Sequence, residues 1–384
     1  MNQVRLKRET SEIPWDIDSL HEIPRVFPAG GFDESGGILP IFIEGPRWKG
    51  KPTRIFAWMG VPDSGSRLPG MVLVHGGGGT AFREWVELWN GRGYAAIAMD
   101  TCGSVPGGSY GNWDRHRMGG PPGWGGFKEV DDPVEDQWVY HAVSDIILAS
   151  SVLSSQPGVD SRRIGLTGIS WGGYLSCIAG SIDSRFRFSS PVYGCGHLDL
   201  CPAFRQTFSR MGETRAKMWY DLWDPSSYLP MADIPFLWVT GTNDQVYPLP
   251  AVRESYCQVS GPLSLSIHLR MAHGHGGPGE KPEEIHALAD HLLKGGPDLP
   301  RIVDQRIEGR KITGRYTTET SMDSALLLLT RDGGEWADRK WEAISAELSP
   351  GSYMVEIPTG TVACFTNLID SRGLIISSEH VEIG

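Results

Sequence analysis

The chain has 384 residues, of which 40% are hydrophobic and 21% charged, as in an ordinary globular protein with more than one domain. Its formal net charge of −11 argues against general nucleic-acid binding, which needs clustered Lys and Arg. No apolar run reaches about 18 residues, so we expect no membrane span. Residues 1–20 carry basic side chains with no apolar segment behind them, so we expect no signal peptide and a cytoplasmic location.

The six cysteines are scattered and include no CxxC pair, which argues against a disulfide scaffold and a structural zinc site. Cys195 and Cys201 could be bridged in an oxidising compartment, and we treat them as reduced thiols. No G-x-G-x-x-G follows the first strand and no metal-ligand cluster is visible, so the sequence implies neither a cofactor nor a metal. The sequence leaves a homo-oligomer open.

Strand and helix signals follow one another in a regular order. Residues 1–36 show little periodicity and are interpreted as an N-terminal arm, and residues 37–61 as two antiparallel strands. Helices are expected over about 133–155 and 281–294. Short apolar runs, each typical of a strand buried on both faces, lie at 70–75, 94–100, 163–168, 188–194, 235–241 and 263–269.

This order predicts an α/β fold in two domains. Residues 37–299 are expected to form a doubly wound, mostly parallel sheet covered by helices on both faces. Residues 103–130 are rich in Gly, Pro and Trp without any period, and we interpret them as a lid-like loop insertion. Residues 300–384 read as short strands separated by turns, which predicts a small C-terminal β-sandwich.

A candidate nucleophile lies where a buried strand gives way to a helix. Gly168-Ile169-Ser170-Trp171-Gly172 is a G-x-S-x-G motif in that setting, and such a turn lifts the serine hydroxyl above the edge of the sheet. By itself the motif could arise by chance, because the chain contains 49 glycines. The strand–turn–helix context favours a nucleophile at Ser170.

A serine hydroxyl needs a base and a group that orients the base. Asp244 follows the strand at 235–241 in a loop, although Asn243, Asp244 and Pro248 would also suit an ordinary turn. His273 and His275 lie in the glycine-rich loop after the strand at 263–269. From the residues alone, either histidine can be the base.

The glycine run at 74–82 follows an early strand and has no lysine at the position that a phosphate-binding loop requires. Glycines in such a place let backbone N–H groups point towards a developing negative charge. We predict an oxyanion hole formed by Gly77 or Gly78 together with the backbone of Trp171.

Trp113 and Trp124 lie in the insertion, where they could stack on a substrate. Packing of the lid or of an acyl pocket is the alternative interpretation of these two indoles.

Taken together, "GISWGG", "NDQVYP" and "IHLRMAHGHGGPGEKP" resemble motifs of the α/β-hydrolases, specifically the acetyl xylan esterase and prolyl oligopeptidase branch. The resemblance covers residues 37–295. It implies a triad of Ser170, Asp244 and His275, with His273 as the rival for the base.

The sequence therefore predicts a serine carboxylesterase that works through an acyl-enzyme, with acetyl esters of carbohydrates as one substrate class. Two alternatives stay open: a serine peptidase of the prolyl oligopeptidase type, and a metal-dependent hydrolase using the H-x-H pair His273 and His275. The stretch before the strand at 70–75 is too short for the large propeller of prolyl oligopeptidases, which favours the esterase.

Overall fold

The computed structural model describes residues 13–383, so residues 1–12 of the predicted arm lie outside the described part.

One sheet organises most of the chain. In chain order the first eleven strands are β1 (Val26–Pro28), β2 (Ile38–Trp48), β3 (Lys51–Gly60), β4 (Leu68–Val74), β5 (Ala95–Met99), β6 (Ser104–Ser109), β7 (Asn112–Arg115), β8 (Val159–Ile169), β9 (Phe186–Val192), β10 (Phe236–Gly241) and β11 (Leu263–His268). Strands β6 and β7 form a separate hairpin, and the other nine form the central sheet.

The central sheet has the order β1-β2-β3-β5-β4-β8-β9-β10-β11. Its first three strands and β5 pair antiparallel, and the six strands from β5 to β11 pair in parallel. The predicted mostly parallel sheet and the antiparallel pair over 37–61 are therefore confirmed. Because the parallel strands end at one edge, the loops that follow β4, β8, β10 and β11 can converge there.

Helices cover both faces of the sheet. They are α1 (Ile17–His21), α2 (Arg83–Asn90), α3 (Trp138–Ser154), α4 (Trp171–Ile182), α5 (Pro202–Met211), α6 (Glu213–Trp223), α7 (Leu249–Tyr256) and α8 (Glu283–Lys294). The apolar side chains of α3 and α4 pack in the core on one face, and those of α2 and α8 pack in the core on the other. The helix predicted over 133–155 begins later, because Val134–Asp136 forms a separate 3-10 turn.

Strands β6 and β7 correct the interpretation of residues 103–130 as an irregular loop. The hairpin lies across the glycine loop that follows β4, where Gly111 N–H donates to Gly78 O at 2.8 Å. The segment shows no alternating pattern in its sequence because no residue of either strand is buried, and the hairpin contacts a distant loop.

The remaining strands form the second domain, and they are β12 (Arg301–Glu308), β13 (Lys311–Thr317), β14 (Met322–Thr330), β15 (Trp341–Ser345), β16 (Glu347–Ser349), β17 (Ser352–Glu356), β18 (Ala363–Asp370), β19 (Ile375–Ser377) and β20 (Val381–Glu382). One sheet has the order β12-β13-β17-β16 and the other the order β15-β14-β18-β19, with β20 beside β18. Side chains from both sheets share one apolar core, which confirms the predicted β-sandwich.

Strand β14 packs on both of its faces, which explains its continuous run of leucines. Leu327 and Leu329 point into the core between the two sheets of the sandwich. Leu328 points the opposite way and packs with Leu249 and Ile267 of the domain built on the central sheet. Successive side chains of a strand face opposite sides, so a strand between two cores needs apolar residues at every position.

The sandwich also closes one edge of the central sheet. Ile267 in the edge strand β11 donates its N–H to Ser377 Oγ at 2.7 Å, and its carbonyl accepts from Asn367 Nδ2 at 3.0 Å. Ser377 Oγ in turn donates to Asn367 Oδ1 at 2.7 Å. These side chains satisfy backbone groups that an uncovered edge strand would present to other chains.

Two further features concern the whole described chain. None of the helices within residues 13–383 is long and apolar enough to cross a bilayer. Cys195 and Cys201 are both buried, and neither is bridged to another cysteine within residues 13–383.

The edge closure gives a stability prediction. Ser377→Ala should lower the free energy of unfolding by about 1–3 kcal/mol, because it leaves the buried Ile267 N–H and Asn367 Oδ1 without their partner. Ser371→Ala, at an exposed serine nearby, is the matched control. Urea unfolding followed by circular dichroism measures both, and equal stability of the two variants would contradict this account of the edge.

Candidate active site

The turn between β8 and α4 presents Ser170 at the carboxyl edge of the sheet. Its backbone has φ 57° and ψ −117°, outside the regions that side chains normally allow, and its N–H donates to Val192 O at 2.9 Å. A Cβ on Gly168 would overlap the Gly172 carbonyl, and one on Gly172 would overlap the Val74 carbonyl. The two glycines of the motif are therefore required by close backbone packing around a strained serine.

His273 lies between Ser170 and Asp244. Its Nε2 is 2.8 Å from Ser170 Oγ, and its Nδ1 is 2.7 Å from Asp244 Oδ2. The other carboxylate oxygen of Asp244 accepts the N–H groups of Val246 and Tyr247 at 2.8 and 2.7 Å. An ionised carboxylate only accepts, so the ring proton sits on Nδ1 and Nε2 is free to accept the hydroxyl proton of Ser170.

The prediction of His275 as the residue in this middle position is wrong, and its rival His273 takes that place. Both ring nitrogens of His275 are engaged elsewhere: Nε2 accepts Gly76 N–H at 2.8 Å, and Nδ1 lies 3.0 Å from Glu280 Oε1. Aligning this loop with the family motif could not decide which of the two consecutive His-Gly pairs supplies the base.

Two tyrosines hold the imidazole of His273. The Tyr193 ring stacks on it with centroids 4.4 Å apart, and the Tyr247 ring lies nearly parallel at 6.3 Å. Tyr193 also brackets the next residue, since its hydroxyl donates to Gly274 O at 2.7 Å and accepts Gly274 N–H at 3.2 Å. We did not single out Tyr193 in the sequence. Its position directly after β9, at the same edge as Ser170, was the available signal.

Gly76, Gly77 and Gly78 differ in what they offer to the site. Gly76 N–H is already donated to His275. A Cβ on Gly77 would lie 2.9 Å from Trp171 Cδ1, whereas one on Gly78 would lie 2.9 Å from the Tyr110 ring, on the side of the hairpin. Neither Gly77 N–H nor Trp171 N–H donates a hydrogen bond to any residue between 13 and 383. Gly77 therefore packs against Trp171, the residue that follows Ser170, and the described residues use neither of these two N–H groups.

The Gly76 carbonyl is anchored from two sides. His75 Nδ1 lies 2.9 Å from it, and Gly79 N–H donates to it at 3.1 Å. His75 Nε2 accepts Thr101 N–H at 3.0 Å, which ties the glycine loop to the end of β5. Burial lowers the pKa of His75 to about 3, so the ring is neutral near pH 7, with its proton on Nδ1.

The two tryptophans predicted to bind substrate occupy different positions. The Trp113 indole N–H donates to Gly78 O at 2.8 Å, which makes this residue an anchor of the hairpin. Trp124 packs edge-on against His75 at 5.8 Å and borders Gly77, so it forms part of the wall beside the available N–H groups. Substrate binding by either residue stays a prediction.

The sandwich domain contacts the loop that carries Asp244. Asn243 Nδ2 donates to the carbonyls of Ala337 and Arg339 at 2.9 and 2.8 Å. Its Oδ1 accepts from Thr242 Oγ1 at 2.7 Å, and Thr242 Oγ1 accepts Arg270 N–H at 3.0 Å. The loops that carry the carboxylate and the imidazole are thus bonded to each other and to the second domain.

A cavity of about 440 Å³ adjoins the site on the far side of His275. Its apolar wall comes from Phe82, Trp85, Leu88 and Tyr110, and Glu84, Glu280 and Lys281 supply charged groups. Among residues 13–383, no group of three or more His, Cys, Asp or Glu side chains is arranged to hold a metal ion. His273 and His275 each have their own carboxylate partner, Asp244 and Glu280.

The fold and this site define a serine hydrolase of the α/β-hydrolase superfamily. Residues 48–196 match the family model described as acetyl xylan esterase (AXE1), and residues 128–294 match that of the prolyl oligopeptidase family. The second match contains Ser170, Asp244 and His273.

Individual relatives agree with this assignment. Dipeptidyl-peptidase 5 of Porphyromonas gingivalis is 27% identical over 286 residues, which is 63% of this chain, and the chain spans 36% of that protein's length. An acetyl xylan esterase from a Paenibacillus species superposes with TM-score 0.58 at 21% identity, over 72% of this chain and 92% of that one. The acylaminoacyl peptidase of Pyrococcus horikoshii gives 0.50 at 19%, over 68% and 43%. At these identities the two structures establish the fold.

The strained turn gives a prediction that needs no substrate. Ser170→Gly should be more stable to unfolding than Ser170→Ala by about 1 kcal/mol, because only glycine adopts this backbone conformation without strain. Both variants lose the hydroxyl, so the comparison isolates the backbone. The same pair of substitutions at Ser150, inside α3, should give the opposite order, since glycine disfavours a helix interior by about 1 kcal/mol. The same order at both positions would refute the strain at Ser170.

Proposed function

We propose that the protein is a serine carboxylesterase that forms an acyl-enzyme on Ser170. The observation that carries this proposal is the hydrogen-bonded series of Ser170, His273 and Asp244, with His273 Nε2 at 2.8 Å from the hydroxyl oxygen. Ser170 Oγ attacks the ester carbonyl while His273 takes its proton. His273 then returns that proton to the leaving alkoxide, and Asp244 keeps the ring in the tautomer that makes both transfers possible.

The negative charge that develops on the carbonyl oxygen needs donors already in place. Gly77 N–H and Trp171 N–H are the proposed pair, because Trp171 follows Ser170 directly, Gly77 packs against Trp171, and neither N–H is donated to another described residue. A donor of this kind lowers the barrier by about 3 kcal/mol. Water then attacks the acyl-enzyme by the same route, with His273 as its base.

The acyl group is proposed to be short, with acetyl as the preferred size. The Trp171 indole lies against Gly77 and is only 8% exposed, packed among Trp138, Tyr174 and Phe204. This aromatic packing leaves little room for a long chain beside the N–H donors. The acetyl xylan esterases that match in sequence or fold act on acetyl esters, as their names state, which supports the same choice here.

A carbohydrate is the proposed alcohol half of the ester. Aromatic rings stack on the apolar faces of sugars, and charged side chains bond their hydroxyls. The cavity beside His275 offers both, with Tyr110 57% exposed at its border and Glu84 and Lys281 close by.

Peptidase activity is the second candidate. The match to the prolyl oligopeptidase family spans all three residues of the series, and the curated relative is named a dipeptidyl-peptidase. The same site could cleave an amide, provided that His273 protonates the poorer amine leaving group.

One experiment separates the two candidates. Purified protein is assayed on acetylated xylan, on p-nitrophenyl acetate, butyrate and octanoate, and on a series of peptide p-nitroanilides, with Ser170→Ala as the blank. We expect Ser170-dependent hydrolysis of the acetyl esters, falling with acyl length, and no measurable cleavage of the anilides. Faster turnover of a p-nitroanilide than of every ester would favour the peptidase.

A second arm of the same assay tests the wall beside the donors. Trp124→Ala should raise the rate on the octanoate relative to the acetate, because it opens space next to Gly77. Trp113→Ala is the matched control, since that indole is bonded to Gly78 on the hairpin side. An unchanged ratio of the two rates in Trp124→Ala would contradict the proposed limit on acyl length.

A further inference from the structure

A second histidine–carboxylate pair lies next to the Ser170 series and takes no part in the mechanism above. Glu280 accepts three hydrogen bonds, from His275 Nδ1 at 3.0 Å, Gly276 N–H at 2.8 Å and Gly277 N–H at 2.7 Å. Burial alone would raise the pKa of Glu280. The hydrogen bonds from His275, Gly276 and Gly277 together lower it by more, so the net pKa lies below its ordinary value. The carboxylate is therefore ionised near pH 7 and acts only as an acceptor.

This pairing determines the tautomer of His275. Because Glu280 can only accept, the ring proton sits on Nδ1, and Nε2 carries a lone pair that accepts Gly76 N–H at 2.8 Å. The ring is also fixed from the side, since Phe82 packs against it with centroids 4.7 Å apart and Trp85 lies at 6.0 Å.

Gly76 is the residue through which this pair acts on the site. A Cβ at Gly76 would lie only 3.0 Å from Ser170 Cβ and 2.6 Å from Ile169 O, so its backbone runs directly against the nucleophile. The Gly76 carbonyl and Gly77 N–H belong to the same planar peptide and point in opposite directions. His75 and Gly79 N–H hold the carbonyl, and His275 holds the N–H of the preceding peptide.

We propose that His275 and Glu280 are positioning residues, which hold the glycine loop so that Gly77 N–H points at the oxyanion formed on Ser170. His75 holds the carbonyl of Gly76 and His275 holds its N–H. Glu280 keeps His275 in the tautomer whose Nε2 can accept that N–H. The pair touches neither the substrate nor the reacting atoms. This inference rests on the proposed function, because it assigns a role within that same site.

The role predicts a specific pattern of kinetic effects. Losing the acceptor at Nε2 lets the loop move, and a displacement of about 1 Å in a catalytic group costs about 100-fold in rate. The transition state needs the donor more than the ground state does, so kcat falls while KM changes little. His275→Ala should lower kcat on p-nitrophenyl acetate by about 100-fold.

Two further variants distinguish positioning from mere packing. His275→Gln retains an oxygen acceptor near the place of Nε2 and should recover most of the kcat lost in His275→Ala. Glu280→Leu keeps its approximate size but offers no acceptor to Nδ1, so the ring proton is no longer held there and Nε2 is no longer fixed as the acceptor for Gly76 N–H. It should therefore behave like His275→Ala. Glu356→Leu, at an exposed carboxylate of the sandwich domain outside this cavity, is the matched control and should retain the normal kcat.

A substrate-independent measurement keeps this inference separate from the proposed function. Hydrogen exchange followed by mass spectrometry should show faster exchange over residues 75–80 in His275→Ala and Glu280→Leu, and nearly normal exchange in His275→Gln. If the unmodified protein does not hydrolyse esters, the esterase proposal fails. The exchange pattern would still test whether His275 and Glu280 hold the glycine loop in place. Unchanged exchange in His275→Ala, a loss appearing in KM instead of kcat, or equal losses in His275→Gln and His275→Ala would each overturn the positioning role.

Discussion

The strained backbone at Ser170 determines where the other groups of the site must lie. Its φ of 57° turns the chain sharply from β8 into α4, and Gly172 packs so closely on the Val74 carbonyl that the end of β4 lies beside the nucleophile. The glycine loop follows directly on β4, and it therefore passes next to Ser170. The backbone N–H groups of that loop are thus placed near the site by the same turn that exposes the hydroxyl.

The two domains are joined where the chemistry occurs as well as along the sheet edge. The sandwich satisfies the backbone of Ile267 in β11, and its carbonyls at Ala337 and Arg339 hold Asn243, the neighbour of Asp244. Both loops that complete the site begin at β10 and β11, the strands nearest to the sandwich. The second domain is therefore part of the framework that places Asp244 and His273.

Most of the fold could be predicted from the sequence because its strands are buried on both faces. A run such as Leu326–Leu329 is apolar at every position since each side of the strand meets a different core. The hairpin of β6 and β7 could not be predicted, because none of its strand residues is buried and it is held by hydrogen bonds to Gly77 and Gly78. Contacts between distant segments leave no local pattern.

The residues of the site, like the strands, could be predicted only in part from the sequence. Ser170 and Asp244 follow strands in positions that the order of elements indicates. The choice between His273 and His275 could not be made locally, because both precede a glycine in one loop. It depends on Tyr193, which brackets Gly274, and on Glu280, which holds His275 away from Ser170. Tyr193 lies far from the histidine loop in sequence, so a motif read along the chain does not include its effect.

The central claim is that His273, and not His275, activates Ser170. The most direct measurement is the rate at which a fluorophosphonate labels the protein, with the modified residue located by peptide mass spectrometry. We expect labelling at Ser170 in the unmodified protein and in His275→Gln, and a rate lowered by at least about 1,000-fold in His273→Ala. Normal labelling of Ser170 in His273→Ala, together with its loss in His275→Gln, would contradict the account.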